Sequence, residues 1–285
     1  MSDRLQRPPP RNSLPARFTA GSMIAALHVL PLIAIVRGTN PADWILFAVM
    51  YPIQLAGVGV CLHRYFAHNS FRTSRGFQFV LALVAGSTFG NPIRFAGKHR
   101  LHHRHSDRPG DPHSPRYGLW YSWIGSHLDT EYSEEEILAQ VPGLLRYPEL
   151  VWLYRNWRVP GLVLCLVAAA FLGFSGMAVG VMLGAAIMLH LSSAVNYFCH
   201  RSGYRRFETK DDSTNNWIVS LLTAGEGWHN NHHRFPVSAR AGFAWWEIDP
   251  FYWLICLFER LGLVWDVRRP PEQIRTAGLL IKSSA

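Results

Sequence analysis

The chain has 285 residues, of which 49% are hydrophobic and 16% are charged, and its net charge is +9. Soluble domains carry about 25% charged residues, so this composition argues against a wholly soluble fold. The basic residues are spread over many segments, which argues against nucleic acid as a partner and favours contact with anionic lipid or an acidic protein.

The first seventeen residues are polar, proline-rich and basic. They have no apolar core of the kind that a cleavable signal peptide requires, so residues 1–17 are predicted to form a disordered leader. The remaining residues, 18–285, are predicted to form a single membrane domain.

Four apolar stretches follow the leader, and each is about long enough to cross a hydrocarbon core of roughly 30 Å. They are residues 18–36, 44–62, 159–176 and 177–198. A shorter glycine-rich stretch at 76–90 is predicted to form a helix at the membrane surface or packed within the protein. Because the long stretches come in two pairs joined by short loops, buried helices of a soluble protein explain them less well. The predicted fold class is all-α integral membrane, with four transmembrane helices and a cytoplasmic helical cap.

The distribution of Lys and Arg predicts the orientation. Four precede residue 18, twelve lie in 64–158 and eleven lie from 201 onward, against one in the 37–43 loop and none in 173–178. By the positive-inside rule, both termini and the long 62–158 segment face the cytoplasm. If the source is bacterial, the expected location is the inner membrane.

Nine of the fourteen histidines fall in four clusters outside the predicted spans: His63, His68, His99, His102, His103, His200, His229, His232 and His233. The two H-x-x-H-H boxes place three imidazoles on one face of a helix. His63 and His68 are five residues apart and therefore need a helix end or a distortion. His200 follows the fourth span directly, and Asn196 lies one helical turn before it.

These clusters predict a metal centre on the cytoplasmic side of the membrane. Nine imidazoles exceed the coordination number of one ion, so two ions are expected. Imidazole binds iron, copper and zinc alike, and the donor type therefore leaves the metal open. The four cysteines have no C-x-x-C spacing and are expected to be reduced packing residues. His28 and His190, inside the spans, are also expected to be packing residues.

At these residues the sequence resembles the membrane fatty-acid desaturases of the stearoyl-CoA delta-9 type, including bacterial acyl desaturases. The resemblance covers about residues 44–266. It is carried by "HRYFAHNSF", "HRLHHRHSDRPGDPHSPRYGLW", "NYFCH" and "DDSTNNWIVSLLTAGEGWHNNHHRFP", with "WWEIDPFYWLICLFERLGLVWDV" as a closing amphipathic segment.

The resemblance implies a di-iron centre bound by the nine histidines, with Asn196 at the position that holds a water on one iron. It implies O2 as co-substrate and desaturation of a long-chain acyl group near the delta-9 position. The acyl group is expected on CoA, on a carrier protein or in a membrane lipid. Electrons are expected from a separate ferredoxin or cytochrome b5-like protein, because the chain contains no H-P-G-G haem-binding stretch. No catalytic residue beyond the metal centre is predicted.

Three departures from the family pattern concern the substrate. Arg94-Phe95 stands where relatives often have an aromatic pair. Trp123 and Ser126 replace a usual His and Trp. In the animal acyl-CoA enzymes, basic residues contact the CoA phosphates, and the corresponding positions in this chain are Gly97, Thr130 and Glu131. The residues that bind the substrate are therefore not predicted.

Two alternative functions remain. A related di-iron lipid hydroxylase or acetylenase would use the same metal ligands. A histidine-rich metal transporter is a more remote alternative, because transporters usually place ionisable residues near the middle of the membrane. Only His28 and His190 lie within the spans here, and no carboxylate accompanies them there.

Overall fold

A computed structural model describes residues 12–129 and 132–276, and this part of the chain is mostly helical, as predicted. The α-helices are α1 Leu14–Arg37, α2 Pro41–Ala56, α3 Arg75–Gly86, α4 Pro92–His105, α5 Ser126–Leu128, α6 Glu134–Leu138, α7 Pro148–Arg155, α8 Val159–Met177, α9 Leu183–Phe198, α10 Trp217–Leu222, α11 His229–Arg234, α12 Pro250–Arg260 and α13 Glu272–Thr276. Segments Gly57–Ala67, Tyr121–Gly125 and Ala178–Met182 are π-helical, and Pro115–Tyr117 and Leu144–Arg146 are 3₁₀ turns. Two short strands, β1 Arg72–Thr73 and β2 Val264–Trp265, pair antiparallel.

Three helical segments in the described part of the chain are long and apolar enough to cross a membrane: Leu14–Arg37, Pro41–Ala67 and Val159–Phe198. The first begins four residues earlier than predicted, with Ser13 as its N-cap. Residues 1–11 of the predicted leader lie outside the described residues.

The predicted third and fourth spans lie in one apolar segment of 40 residues. Its backbone leaves the helical region at Gly173, where φ is 70° and ψ is −162°. Cys165 and Val181, on opposite sides of Gly173, nevertheless belong to the same buried cluster. In one straight helix they would be about 24 Å apart, so the segment turns back at Gly173.

Most of the short apolar stretch at 76–90 forms α3, which packs against the rest of the protein on one side. A Cβ atom on Gly57 would lie 2.8 Å from the carbonyl oxygen of Val84, so the π-helical end of the second apolar segment approaches α3 closely. A Cβ atom on Gly86 would likewise lie 2.8 Å from the Cβ of Pro160, so α3 also lies close to the start of α8. Val80 and Leu83 on the other side of α3 are exposed, so both expected placements agree with the structure.

The largest buried apolar cluster joins the π-helix at 57–67 to α3, α4, α7 and α12. Phe66, Phe71 and Ile93 are among its fully buried side chains. This packing fixes α4 against the π-helix, and each of these two elements carries a histidine cluster. All four cysteines are free thiols, as expected.

Candidate metal centre

The first H-x-x-H-H box lies on the last turns of α4. The helix begins at Pro92, and the side chain of Asn91 caps it by accepting a hydrogen bond from the Arg94 N–H. The Nε2 atoms of His99 and His103 are 3.0 Å apart, as expected for residues four positions apart on one face. His102 is fully buried.

His63 and His68 meet through a helix distortion, as their five-residue spacing predicts. The N–H of His68 donates to the carbonyl oxygen of His63 over 3.2 Å, the i→i+5 bond of a π-helix. The two ring centroids are 4.9 Å apart. The Nε2 of His68 is 2.8 Å from that of His99, so this pair joins the box on α4.

The remaining cluster forms where α9 ends and α11 begins. α9 ends at Phe198, and His200 follows in the turn. The Nε2 of His200 lies 3.0 Å from that of His229, at the start of α11. The Nε2 atoms of His229 and His233 are also 3.0 Å apart, so the second box likewise presents one face.

The structure brings all nine predicted histidines together, in two adjacent groups. The first group contains His63, His68, His99, His103 and His232, and the second group contains His102, His200, His229 and His233. Within each group, one ligand atom per residue lies within 4.8 Å of all the others. Both boxes contribute to both groups, so neither group forms without α4 and α11 in contact.

The separations of the ring nitrogens fit metal coordination. Metal–nitrogen bonds of about 2.0–2.1 Å place adjacent ligand atoms about 3.0–3.4 Å apart. The Nε2 atoms of His63 and His232 are 3.0 Å apart, and those of His102 and His233 are 3.4 Å apart. More than two Nε2 atoms converge in each group, so hydrogen bonds alone cannot satisfy their lone pairs. The donor set fits two imidazole-bound cations.

Burial keeps most of these imidazoles neutral, the form that binds metal. Burial first, and the neighbouring imidazoles next, hold six pKa values well below the usual range, namely those of His68, His99, His103, His229, His232 and His233. His200 differs: burial lowers its pKa, but the Asp107 carboxylate outweighs that effect and raises it above the usual value.

Four carboxylates orient the imidazoles, and the sequence analysis did not identify any of them. Each accepts a hydrogen bond from the Nδ1 of one ligand histidine: Asp107 from His200 (2.7 Å), Asp111 from His102 (2.9 Å), Asp211 from His233 (2.8 Å) and Glu226 from His63. Such a bond fixes the tautomer and turns the Nε2 lone pair toward the centre of the group. Their sequence signal is that all four lie within the two longer motif stretches, residues 99–120 and 211–236, that contain the boxes.

Asp107, Asp211 and Glu226 are charged, because the neighbouring cationic and imidazole groups outweigh the cost of burial. Burial raises the pKa of Asp107 and Asp211, but the hydrogen-bonded histidines lower both pKa values far below the usual range. The pKa of Glu226 is lowered as well, by His63 and by the buried Arg64 guanidinium. Arg64 also contacts Asp249 at 2.9 Å, so a buried charge network holds Glu226 in place.

Asparagines fix the short helix α11. The Asn230 side-chain oxygen accepts hydrogen bonds from the N–H groups of Arg206 (2.8 Å) and Phe207 (2.7 Å). The Asn231 amide donates to the buried Glu247 over 2.9 Å. A six-residue helix is unstable alone, and these bonds explain why it keeps the second box in position.

Asn196 and a small cavity lie next to the histidines. Asn196 is half-buried on α9, one turn before His200. The cavity, of about 30 Å³, reaches the Glu226 carboxylate. Its apolar walls come from α2, the following π-helix, α9 and α12, and they include Val58, Leu191, Val195 and Phe251.

The residues that depart from the family pattern have defined surroundings. Gly97 is buried, and a Cβ there would lie 2.5 Å from the Ile137 carbonyl oxygen, so no side chain fits. The Trp123 indole N–H donates to His190 over 2.9 Å, and His190 is 2.8 Å from His28. His28 and His190 therefore pack together, apart from the nine histidines. Thr130 and Glu131 lie outside the described residues.

Comparison with known proteins places the chain beside acyl desaturases. The sequence profile described as "Fatty acid desaturase" matches residues 39–256. The chain is 36% identical to an acyl-CoA C20 Delta5-desaturase of Anemone leveillei over 259 residues, covering 87% of this chain and 81% of that protein.

Two further relatives act on other acyl carriers, according to their names. The chain is 36% identical to the sn-2 palmitoyl-lipid 9-desaturase of Nostoc sp. (strain 36), covering 78% of this chain and 80% of the relative. It is also 36% identical to the hex-5-enoyl-[acyl-carrier protein] acetylenase of Moorena producens (strain JHB), covering 79% and 76%.

Proposed function

Because the chain belongs to the fatty acid desaturase family, we propose that it introduces a double bond into a long-chain acyl group near the delta-9 position, at two irons bound by the nine histidines. The observation that carries the proposal is the convergence of nine imidazoles in two groups within a chain of this family. The single membrane domain is proposed to extend over residues 18–285.

The irons are proposed to occupy the two groups of histidines. When bound, they supply the activation of O2 and the oxidising power to remove two hydrogens from unactivated methylenes, which no side-chain base can deprotonate. The protein's own residues orient the ligands: Asp107, Asp111, Asp211 and Glu226 hold the Nδ1–H groups. Asn196, one turn before His200, is proposed to hold a water on one iron.

The acyl chain is proposed to bend beside the first group of histidines. The apolar side chains that line the small cavity next to Glu226 support this placement, because they lie between the second apolar segment and α9, beside the residue that orients His63. Apolar walls also exclude water from the reacting methylenes.

The acyl carrier is proposed to be a membrane lipid or a carrier protein, with no requirement for free acyl-CoA. CoA carries several phosphates, which need several Lys or Arg side chains at the channel mouth, whereas a glycerolipid carries one phosphate that a single Lys can bind. Arg116 is already bound to Asp212 through two hydrogen bonds of 2.8 and 3.1 Å, and Gly97 has no space for a side chain. The names of the three relatives refer to acyl-CoA, to an acyl-carrier protein and to a lipid, respectively, so they do not favour one carrier.

Four membrane crossings and a cytoplasmic site are proposed. The turn at Gly173 supports two crossings for the 40-residue segment, with the turn on the outer side. The distribution of Lys and Arg supports the orientation. A separate acidic electron carrier, such as a ferredoxin or cytochrome b5-like protein, would then dock on the cytoplasmic face, where Arg104, Arg108 and Arg234 are exposed.

Expression in a host with simple saturated fatty acids tests the function. We expect new monounsaturated acyl chains, with the double bond located by mass spectrometry of derivatised fatty acids. Purified protein should require a reduced donor protein in addition to O2. Turnover with NAD(P)H and O2 alone would contradict a separate donor.

The same assay distinguishes the second candidate, an acetylenase or hydroxylase. The similarity to the Moorena producens acetylenase favours this alternative over other chemistries. A triple bond or a hydroxyl group differs from a double bond in mass and retention time. If the host lipids contain only these products, desaturation is not the main reaction. Iron or zinc transport without any change in the lipids would instead indicate a metal transporter.

A further inference from the structure

Three basic side chains form a cluster that is not part of the nine-histidine site: Lys98, His113 and His127. Lys98 lies on α4 one turn before His102, and therefore on the same face. The His113 ring packs against the His102 ring, with centroids 4.2 Å apart and an interplanar angle of 34°. The Lys98 ammonium donates to the carbonyl oxygen of Ser126 over 2.8 Å, which brings it next to His127.

The electrostatics of the cluster agree with this arrangement. Part of the His127 side chain is exposed to the surface. Desolvation by the surrounding protein atoms, then the charge of Lys98 and then His190 lower the pKa of its imidazole to about 4. The Nδ1 of His113 is buried and has no hydrogen-bond partner among the described residues, since the nearest Asp111 oxygen is 3.8 Å away. A cluster of this kind favours an anionic or carbonyl oxygen.

The cluster lies beside the start of the first apolar span. The Asn12 amide group donates to the Leu128 carbonyl oxygen over 2.9 Å, and the Asn12 N–H donates to Asp129 over 3.2 Å. Gly21 on α1 contacts Leu128. Because α1 is a candidate membrane span that begins at Leu14, the segment that carries His127 lies at the end of that span, where lipid headgroups are found.

We propose that Lys98, His113 and His127 bind the phosphate and ester oxygens of a membrane glycerolipid that carries the acyl substrate. The inference rests on the proposed desaturase function and specifies its substrate class. The Lys98 ammonium supplies a charge-assisted hydrogen bond to phosphate, and the two imidazoles supply ring N–H donors. A soluble phosphate ion could bind the same three side chains, but it has no acyl chain to reach the histidine groups.

The same contacts determine where the double bond forms. His113 touches His102, so the cluster stands at a fixed distance from the second group of histidines. An acyl chain held at its ester end presents the same methylenes to the metal groups in every turnover. Loosening the ester end lets the chain slide, and neighbouring methylenes then react as well.

The test uses full-length protein in vesicles of distearoylphosphatidylglycerol, with a reduced donor protein and O2. Lys98→Met and His127→Phe are compared with the wild type and with Lys98→Arg. Arg72→Met is the matched control, because it removes an exposed cation on β1 whose partner is Asp266. KM, kcat, iron content and double-bond position are measured for each protein.

Lys98→Met and His127→Phe are expected to raise KM about tenfold, the effect of losing one charge-assisted hydrogen bond, with kcat within about twofold. Their products should contain positional isomers that the wild type and Arg72→Met do not form. Lys98→Arg keeps the positive charge and should keep the KM of the wild type. If Lys98→Met folds poorly, His127→Phe still tests the inference.

Two outcomes would overturn the inference. Unchanged KM and a single double-bond position in both variants would show that the cluster does not bind the substrate. If the variants raised the KM for stearoyl-carrier protein about tenfold and left the KM for phosphatidylglycerol unchanged, the cluster would be assigned to a carrier protein instead. Absence of any wild-type turnover would contradict the proposed function itself, which separates the two failures.

Discussion

Asp107 and His200 are 93 residues apart in the sequence, and a hydrogen bond of 2.7 Å joins the Asp107 Oδ2 to the His200 Nδ1. The same carboxylate accepts the Asp212 N–H over 2.9 Å and the Ser114 hydroxyl over 3.0 Å. A carboxylate fixed on three sides holds the imidazole in one tautomer and one orientation. The turn that follows α4 therefore orients a histidine from the end of α9.

Replacing Asp107 with Asn should weaken metal binding. The change removes the charge that raises the pKa of His200 and allows the ring to adopt the other tautomer. Loss of such a partner typically reduces metal affinity or activity about 10–100-fold. Iron content after dialysis against a chelator measures the effect. Asp212→Asn is the control, since Asp212 binds Arg116 on a half-exposed surface, and equal iron loss in both variants would contradict the orienting role of Asp107.

The two metal groups should respond separately to single substitutions. His102 belongs to the group of four and His232 to the group of five. His102→Ala and His232→Ala should each abolish activity and lower iron from about two ions toward one per chain, while membrane insertion is kept. Metal analysis of purified protein gives the stoichiometry.

His105→Ala is the control for this pair, because His105 is on the same helix but its ring contacts Tyr132 and not the nine histidines. It should retain iron and activity. Near-normal turnover of His102→Ala and His232→Ala would mean that the two groups are not metal sites.

The positions of the ligands could be predicted from sequence because helix geometry is local. The spacing of His99, His102 and His103 places them on one face, and the five-residue spacing of His63 and His68 indicates a distortion, which the structure resolves as a π-helix. Both conclusions depend only on residues within one or two turns of each other. The shared faces therefore needed no knowledge of the tertiary fold.

Asp107 and Glu226 could not be predicted as partners of the ligand histidines because each contacts a histidine that is far away in the sequence. Glu226 reaches His63 from 163 positions away, and its sequence neighbours give no sign of this contact. Only the packing of α4, α11 and the π-helix brings such pairs together. The turn at Gly173, by contrast, agrees with the short loop that the sequence predicts at 173–178, between the stretches 159–176 and 177–198.

Metal-free protein should lose stability as the pH falls below about 6.5. Six of the nine imidazoles have folded pKa values below the unfolded value of about 6.5, so the unfolded chain binds more protons than the folded chain in this range. Their contribution to the free energy of unfolding is present above pH 6.5 and is lost below it, by about 1.4 kcal/mol per pH unit for each proton. His200, whose pKa is raised, acts in the opposite direction.

Thermal unfolding of detergent-solubilised protein at pH 7.5 and 5.5 measures this dependence. Asp107, Asp211 and Glu226 have lowered pKa values and lose their contribution only near or below pH 4, outside this window. Iron-loaded protein should keep its unfolding temperature to lower pH, because bound metal competes with protons. An unfolding temperature of the metal-free protein that is equal at both pH values would mean that these imidazoles are protonated in the fold.

Replacing Asn196 with Ala should separate metal binding from catalysis. Asn196 is half-buried on α9, one turn before His200 and therefore on the same side of the helix. The two groups consist of nine histidines, and Asn196 supplies no imidazole to either, so its removal should leave the iron content close to that of the wild type. If its amide positions a water at the second group, kcat should fall about tenfold or more. Asn156→Ala is the control, because the Asn156 amide only caps α7 through the Trp152 carbonyl oxygen. A fully active Asn196→Ala protein with normal iron would show that this amide serves only the end of α9.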